Sequence, residues 1–237
     1  VQTCALPICE PSTVDTIISL NDSEMIFVCE GSENAIKYNV RTGKVLSYGR
    51  SNMVYPMDAV NIQDAVIGVC QDKRLFLLKP NQAPVFVPKE QPLYDGAYFR
   101  NSRYFKTDGK YVYYLDHKRA IKRIQTKPFL KDPESYVSEF VVSEGVNDFE
   151  IGLKEAVFYV SRDSYRVCLK GTDYGYQCNK ANGVWSIDLH AFDEHLFVSQ
   201  TDGGYRCTLL EQRTLKQVDT ITVPQQNDHM SQTASMV

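Results

Sequence analysis

The chain is short of most of the features that assign function quickly. It has no long apolar run: none approaches the roughly 18 residues a helix needs to span a bilayer, so no helical membrane span is expected. It has no surplus of positive charge, since 26 Lys and Arg stand against 29 Asp and Glu for a formal net charge of -3. A general nucleic-acid binder needs a basic surface to displace counterions, so the charge argues against that class, though not against a local basic patch. No Cys-x-x-Cys pair occurs among the seven Cys, and the four His show no metal-ligand spacing. There is no His-Glu-x-x-His, no phosphate-cradling Gly loop and no Gly-x-Ser-x-Gly. No catalytic signature is left, and neither a cofactor nor a metal is expected. No helix-length amphipathic stretch occurs either.

What the chain does have is a phrase repeated five times: a turn, a short apolar run, a second turn, another apolar run. The copies read NDSEMIFVCEGSENAIKYNV (21–40), QDAVIGVCQDKRLFLL (63–78), TDGKYVYYLDHKRAIKRI (107–124), LKEAVFYVSRDSYRVCL (153–169) and FDEHLFVSQTDGGYRCTLL (192–210). Equivalent positions, Cys29, Cys70, Leu115, Ser161 and Ser199, lie about 41, 45, 46 and 38 residues apart. Fifteen Tyr, with Gly and Pro at short intervals, favour strands and turns. Each copy resolves into four strands, and in the first these are Val14 to Leu20, Met25 to Cys29, Ala35 to Val40 and Val45 to Tyr48. The second strand is apolar almost throughout, as in MIFVC and VIGVC, which suits a strand covered on both faces.

A period near 40 to 45 residues with four strands per unit defines an all-β architecture, the β-propeller. One twisted four-stranded sheet cannot hide two apolar faces alone, so such sheets stack as blades. The expected blades span about 14–50, 54–90, 95–144, 147–180 and 184–223, with a Pro-containing outer loop at 126–135 in the third. Residues 224–237 read as a polar tail. Residues 1–8 resemble the translation of a sequencing-library adapter read in frame, so 1–10 are set aside as an artefact or disordered stretch. On this reading the five blades are an N-terminally truncated excerpt of a propeller.

The slot that accepts Cys29, Cys70, Leu115, Ser161 and Ser199 is a small-to-medium packing site, so its Cys are expected as buried free thiols. Cys168 and Cys178 could instead face each other across a hairpin as a disulfide. A reducing compartment, the cytoplasm, is the expectation that follows from free thiols.

The stretch Glu33-Asn-Ala-Ile36-Lys37-Tyr38-Asn39-Val-Arg-Thr42-Gly43-Lys44-Val-Leu46 resembles the second half of a WD repeat. In that family it carries an Asp, an Ile-Lys or Val-Arg pair, Trp-Asp and then Thr-Gly-Lys. Tyr38-Asn39 stands here in place of Trp-Asp. The single Trp, Trp185, lies elsewhere, and no Gly-His pair precedes any blade. The motif is confined to one blade. The resemblance implies a rigid scaffold that docks peptides or proteins, usually within a larger assembly.

Two sets of residues are candidates for binding. Asp15, Asp58, Asp95, Asp148 and Asp188 each lie close to the start of a blade's first strand. A ring of them at one channel mouth would favour a basic peptide, a cation or ordered water. Turn chemistry, in which Asp bonds its own backbone where a loop enters a strand, is the preferred account of them. The basic run His117-Lys118-Arg119-Ala-Ile-Lys122-Arg123 could contact phosphate or an acidic partner, or form a solvated hairpin. His190 with Asp188 and Asp193 is the one local acid–imidazole cluster. The Asn21-Asp22-Ser23 glycosylation pattern is short enough to arise by chance. Two functions follow. The first is a protein-interaction scaffold that docks proteins or peptides through its blade-end loops. The second is a propeller enzyme acting on a sugar, lactone or similar small molecule, which needs convergent carboxylates or a His at the channel mouth.

Overall fold

A computed structural model describes residues 14–29, 31–33, 35–53, 56–70, 74–87, 105–116, 118–143, 145–178, 186–201 and 204–224. The described strands form five four-stranded antiparallel sheets, each built from neighbours in sequence. The chain divides into two compact units, the first carrying the first three sheets and the second the last two.

The first unit opens with β1 (Val14–Asn21), β2 (Glu24–Cys29), a short β3 (Gly31–Glu33), β4 (Ala35–Asn39), β5 (Val45–Ser47) and β6 (Arg50–Met53). Strands β1, β2, β4 and β5 make the first sheet, while β3 and β6 pair separately. That extra pair falls where a turn is expected from sequence, because Glu30 to Asn34 lacks any apolar alternation. The turns follow local chemistry. Asn21 Oδ1 accepts the Ser23 N–H at 3.0 Å, so the residues of the glycosylation pattern form a turn. Asn39 Oδ1 accepts the Arg41 and Thr42 N–H groups at 3.1 and 2.9 Å. Gly43 follows at φ 69°, a conformation that favours glycine. The WD-like residues thus build the hairpin between β4 and β5.

The second sheet contains β7 (Pro56–Ile62), β8 (Ala65–Cys70), β9 (Leu75–Leu78) and β10 (Val85–Val87). Every residue of β8 and β9 is buried. Gly68 is required within β8: a Cβ there would lie 2.4 Å from the Asp58 carbonyl oxygen and 2.4 Å from Phe76 Cζ. Ile26, Val28 and Ala35 of the first sheet pack with Ala59, Val66, Phe76 and Leu78 of the second. Each fully buried aliphatic or Phe side chain contributes roughly 1.5–3 kcal/mol.

The third sheet has β11 (Phe105–Thr107), β12 (Tyr111–Leu115), β13 (Ile121–Gln125) and β14 (Ser138–Val142). Asp108 Oδ1 caps its first turn by accepting from Lys110 and Tyr111 N–H at 2.9 and 2.7 Å. Residues 126–135, expected as a loop, instead hold a short helix, α1 (Thr126–Lys131), and a 3-10 turn at Pro133–Ser135. Phe129 drives this: it is buried edge-on against Tyr136, with ring centroids 5.4 Å apart. Six residues are too few to show a helical period in the sequence.

The second unit holds β15 (Val146–Ile151), β16 (Val157–Ser161), β17 (Arg166–Leu169) and β18 (Gly175–Gln177), then β19 (Ser186–Phe192), β20 (His195–Thr201), β21 (Gly204–Glu211) and β22 (Gln217–Pro224). Phe158, Val160 and Val167 of the fourth sheet meet Ile187, Leu189, Leu196 and Leu210 of the fifth.

Cys70, Cys168, Cys178 and Cys207 are free thiols, so Cys168 and Cys178 are not joined. Cys29 departs from the free-thiol expectation and is disulfide-bonded; the packing slot it fills does not forbid a second sulfur within reach. Burial pushes the Cys178 thiol up to about 11. Among the described residues no helix is long and apolar enough to cross a membrane.

Candidate functional site

The aspartates at the first strands are the natural place to look for chemistry. Asp58 sits in β7 beside a register shift between Pro56 and Asp58. It is only 5% exposed. Its Oδ1 accepts the Ala59 N–H at 2.8 Å and its Oδ2 accepts the Phe105 N–H at 2.9 Å. Phe105 begins the first strand of the next sheet. Asp148, in β15, repeats the arrangement. It too is 5% exposed, lies within a register shift, and accepts the Leu189 N–H from the next sheet at 2.8 Å through Oδ2. The register makes the two donors equivalent, since Phe105 pairs with Tyr114 and Leu189 with Val198 at matching places in their sheets. Each carboxylate therefore ties its own sheet to the next. A charged acceptor on a buried backbone donor is among the stronger hydrogen bonds in a protein.

Asp15 falls at the shift between Val14 and Thr16 in β1. Asp188 is half-buried in β19, where it pairs with Ser199. Asp95 lies outside the described residues.

Beside Asp148 the sequence reading missed Glu150, two residues along the same strand and therefore on the same face. Glu150 is buried, and its Oε1 accepts the Ile151 N–H at 2.9 Å. Its Oε2 lies 3.9 Å from Nδ1 of His190 on β19, whose side chain is 74% exposed. No residue spacing announces this pair, because it forms between two sheets. Gln212 was also missed. Its Oε1 accepts from Leu153 N–H at 2.9 Å, and its Nε2 donates to the Asp193 and His195 carbonyls at 3.0 and 2.9 Å. Gly152 makes room for it: a Cβ there would lie 2.3 Å from Gln212 Oε1.

The basic run divides. Lys122 lies 3.8 Å from the buried Asp116 carboxylate and over the Phe140 ring at 4.9 Å. Arg123 meets Glu139 at 2.9 Å through both Nε and Nη2, and its guanidinium stands 4.1 Å from the Tyr111 ring centre. Lys118 and Arg119 lie in the turn before β13, where the Arg119 carbonyl accepts the Val146 N–H at 3.0 Å. His117 lies outside the described residues. Among the described residues no three His, Cys, Asp or Glu cluster as metal ligands.

The fourth strands differ among themselves. Strands β5, β10 and β18 have three residues each, β14 has five and β22 has eight. A polar cleft of about 500 Å³ in the second unit is lined by Tyr176, Gln177, Arg206, Gln217, Thr220 and Thr222. On the opposite face of β22, Ile221 is 64% exposed, and Tyr205 stands exposed on the neighbouring β21.

No protein-family model matches the chain, and no curated protein matches it. Solved structures do. The N-terminal domain of Nup159 is similar at 7% identity with a TM-score of 0.56, over 84% of this chain and 59% of that one. The dihydro-heme d1 dehydrogenase NirN is similar at 9% identity and 0.59, over 90% of this chain and 48% of that one. The C-terminal WD40 domain of Sif2 is similar at 11% identity and 0.53, over 90% of this chain and 59% of that one. At such identities the likeness establishes the fold: this is an all-β chain of β-propeller type, with WD40 domains among its structural neighbours. The chain spans about half to three-fifths of the length of these neighbours.

Proposed function

We propose that this chain is a protein-interaction scaffold of WD-repeat-like propeller type, docking peptides or proteins through the margins of its sheets. The observation that carries this reading is the use made of Asp58 and Asp148. Both are buried, and both hold a backbone N–H of the next sheet. Carboxylates committed in this way stabilise the stack and are poor candidates for proton transfer, which needs a group within reach of substrate. The exposed apolar side chains, by contrast, include Phe140 on β14 and Ile221 on β22 as well as Ile17 on β1 and Phe192 on β19, all on first or fourth strands. Affinity capture with the tagged chain, followed by mass spectrometry, tests the scaffold role. A partner enriched reproducibly at fixed stoichiometry is expected. A stable monomer that enriches nothing would contradict it.

The His190–Glu150 pair favours a second reading, a small-molecule enzyme, and the neighbour NirN is a dehydrogenase by name. A His190→Gln variant that captures the same partners as the parent counts for the scaffold. One that abolishes turnover of a sugar or lactone ester counts for the enzyme.

A further inference from the structure

Gln200 lies near the end of β20, 1% exposed, with neither its amide oxygen nor its amide nitrogen hydrogen-bonded within the chain. A buried amide left open is costly and calls for a partner. The third sheet shows how a chain supplies one internally. Its Asp116 follows Leu115 as Gln200 follows Ser199; it is buried, and Lys122 stands 3.8 Å from its carboxylate. The fifth sheet leaves the equivalent group open. Cross-strand partners share a sheet face. Gln200, Arg206 and Thr222 are partners in turn across β20, β21 and β22, and Val198, Thr208 and Thr220 make the next row. Arg206, Thr220 and Thr222 line the polar cleft of about 500 Å³, together with Tyr176, Gln177 and Gln217. Gln200 is therefore the buried inner end of a polar row whose outer end is the cleft wall.

We propose that this cleft binds a small uncharged polyhydroxylated molecule, of the sugar class, with one hydroxyl passing Arg206 to reach the Gln200 amide. The volume falls in the range of ligand pockets, about 300–1,000 Å³, and far exceeds the roughly 30 Å³ of one water. The lining sets the class. Gln200, Gln217, Thr220 and Thr222 can each donate and accept, as every sugar hydroxyl does. The one charged group is Arg206, which already has an interaction within the chain, so the lining does not call for an anion. Tyr176 adds an aromatic ring against which the C–H face of a sugar can pack. The site is separate from the docking reading and stands or falls without it.

The test is nitrogen–proton correlation spectroscopy of the full chain titrated with glucose, with inorganic phosphate as the anionic control. The Gln200 side-chain amide is identified by its loss in Gln200→Leu, a substitution that keeps the volume and breaks no hydrogen bond of the chain. A saturable shift of that amide with glucose, and none with phosphate, is expected. Read at the Thr220 and Thr222 backbone amides, Gln200→Leu should weaken glucose binding about tenfold and Thr222→Val about threefold, each from one lost hydrogen bond. Circular dichroism confirms that both variants fold. The absence of a saturable shift with glucose overturns the proposal, as does glucose binding that ignores Gln200→Leu. So does a phosphate response at the same amides as strong as that to glucose. Magnetisation transfer from the Gln200 amide to water alone, unchanged by glucose, also overturns it, because bound water would then be the partner.

Discussion

In β7 the Asp58 carboxylate is buried and both its oxygens accept backbone N–H groups, one of them from the next sheet. In β22, at the far end of a different sheet, Ile221 stands mostly in solvent and its strand has no neighbour on one side among the described residues. Two first strands, β7 and β15, bury a carboxylate and use it to hold the next sheet. Large apolar side chains stand exposed on β14 and β22, and also on the first strands β1 and β19 at Ile17 and Phe192. The contrast is therefore between these particular strands of the repeat. The fourth strands are not equal, however. The five residues of β14 carry Glu139 bound to Arg123, while Lys122 lies over Phe140. The eight residues of β22 carry Asp219, whose Oδ1 accepts the Thr220 N–H at 2.7 Å, and end in Pro224.

The sharpest way to break the contrast is to spoil the committed end. Gly68→Ala places a Cβ against the Asp58 carbonyl and the Phe76 ring. It should cost about 3 kcal/mol, the upper range for overpacking, read as a lower urea midpoint with an unchanged slope. Removing the carboxylate itself is next. Asp58→Ala and Asp148→Ala each leave a buried backbone N–H without its acceptor, and should cost about 2 kcal/mol by the same measurement.

Smaller changes sharpen the contrast between fourth strands. Arg123→Ala releases Glu139 from a partly exposed pair and should cost less than about 1 kcal/mol, fading in high salt. The smallest effect belongs to Gln200, which is fully buried in β20 with neither amide atom hydrogen-bonded. Gln200→Leu removes an unsatisfied amide at similar volume, so thermal unfolding should show no loss and a slight gain in stability. A drop of more than 1 kcal/mol would mean the amide has a partner, such as bound water.

The repeat made the sheets legible, because burial on both faces leaves runs such as Ala65–Cys70 and Tyr111–Leu115 apolar in the sequence itself. Turn chemistry was legible for a similar reason: Asn39, Gly43 and Asp108 act on residues two or three positions away. What escaped was whatever depends on two sheets meeting. The Asp residues could be picked out as a set, yet a bond from Asp148 to Leu189 across 41 positions has no local signature. Glu150 and Gln212 were overlooked because their partners come from a neighbouring sheet. The short helix at Thr126–Lys131 depends on Phe129 finding Tyr136. The contrast between β14 and β22 is likewise one of edges, and sheet order is not written in strand composition.

The most direct measurement is backbone hydrogen exchange at the Phe105 and Leu189 amides, in the parent chain and in Asp58→Ala and Asp148→Ala. The account predicts that each substitution speeds exchange most at the amide its carboxylate holds. Exchange at both amides unchanged by both substitutions would contradict it.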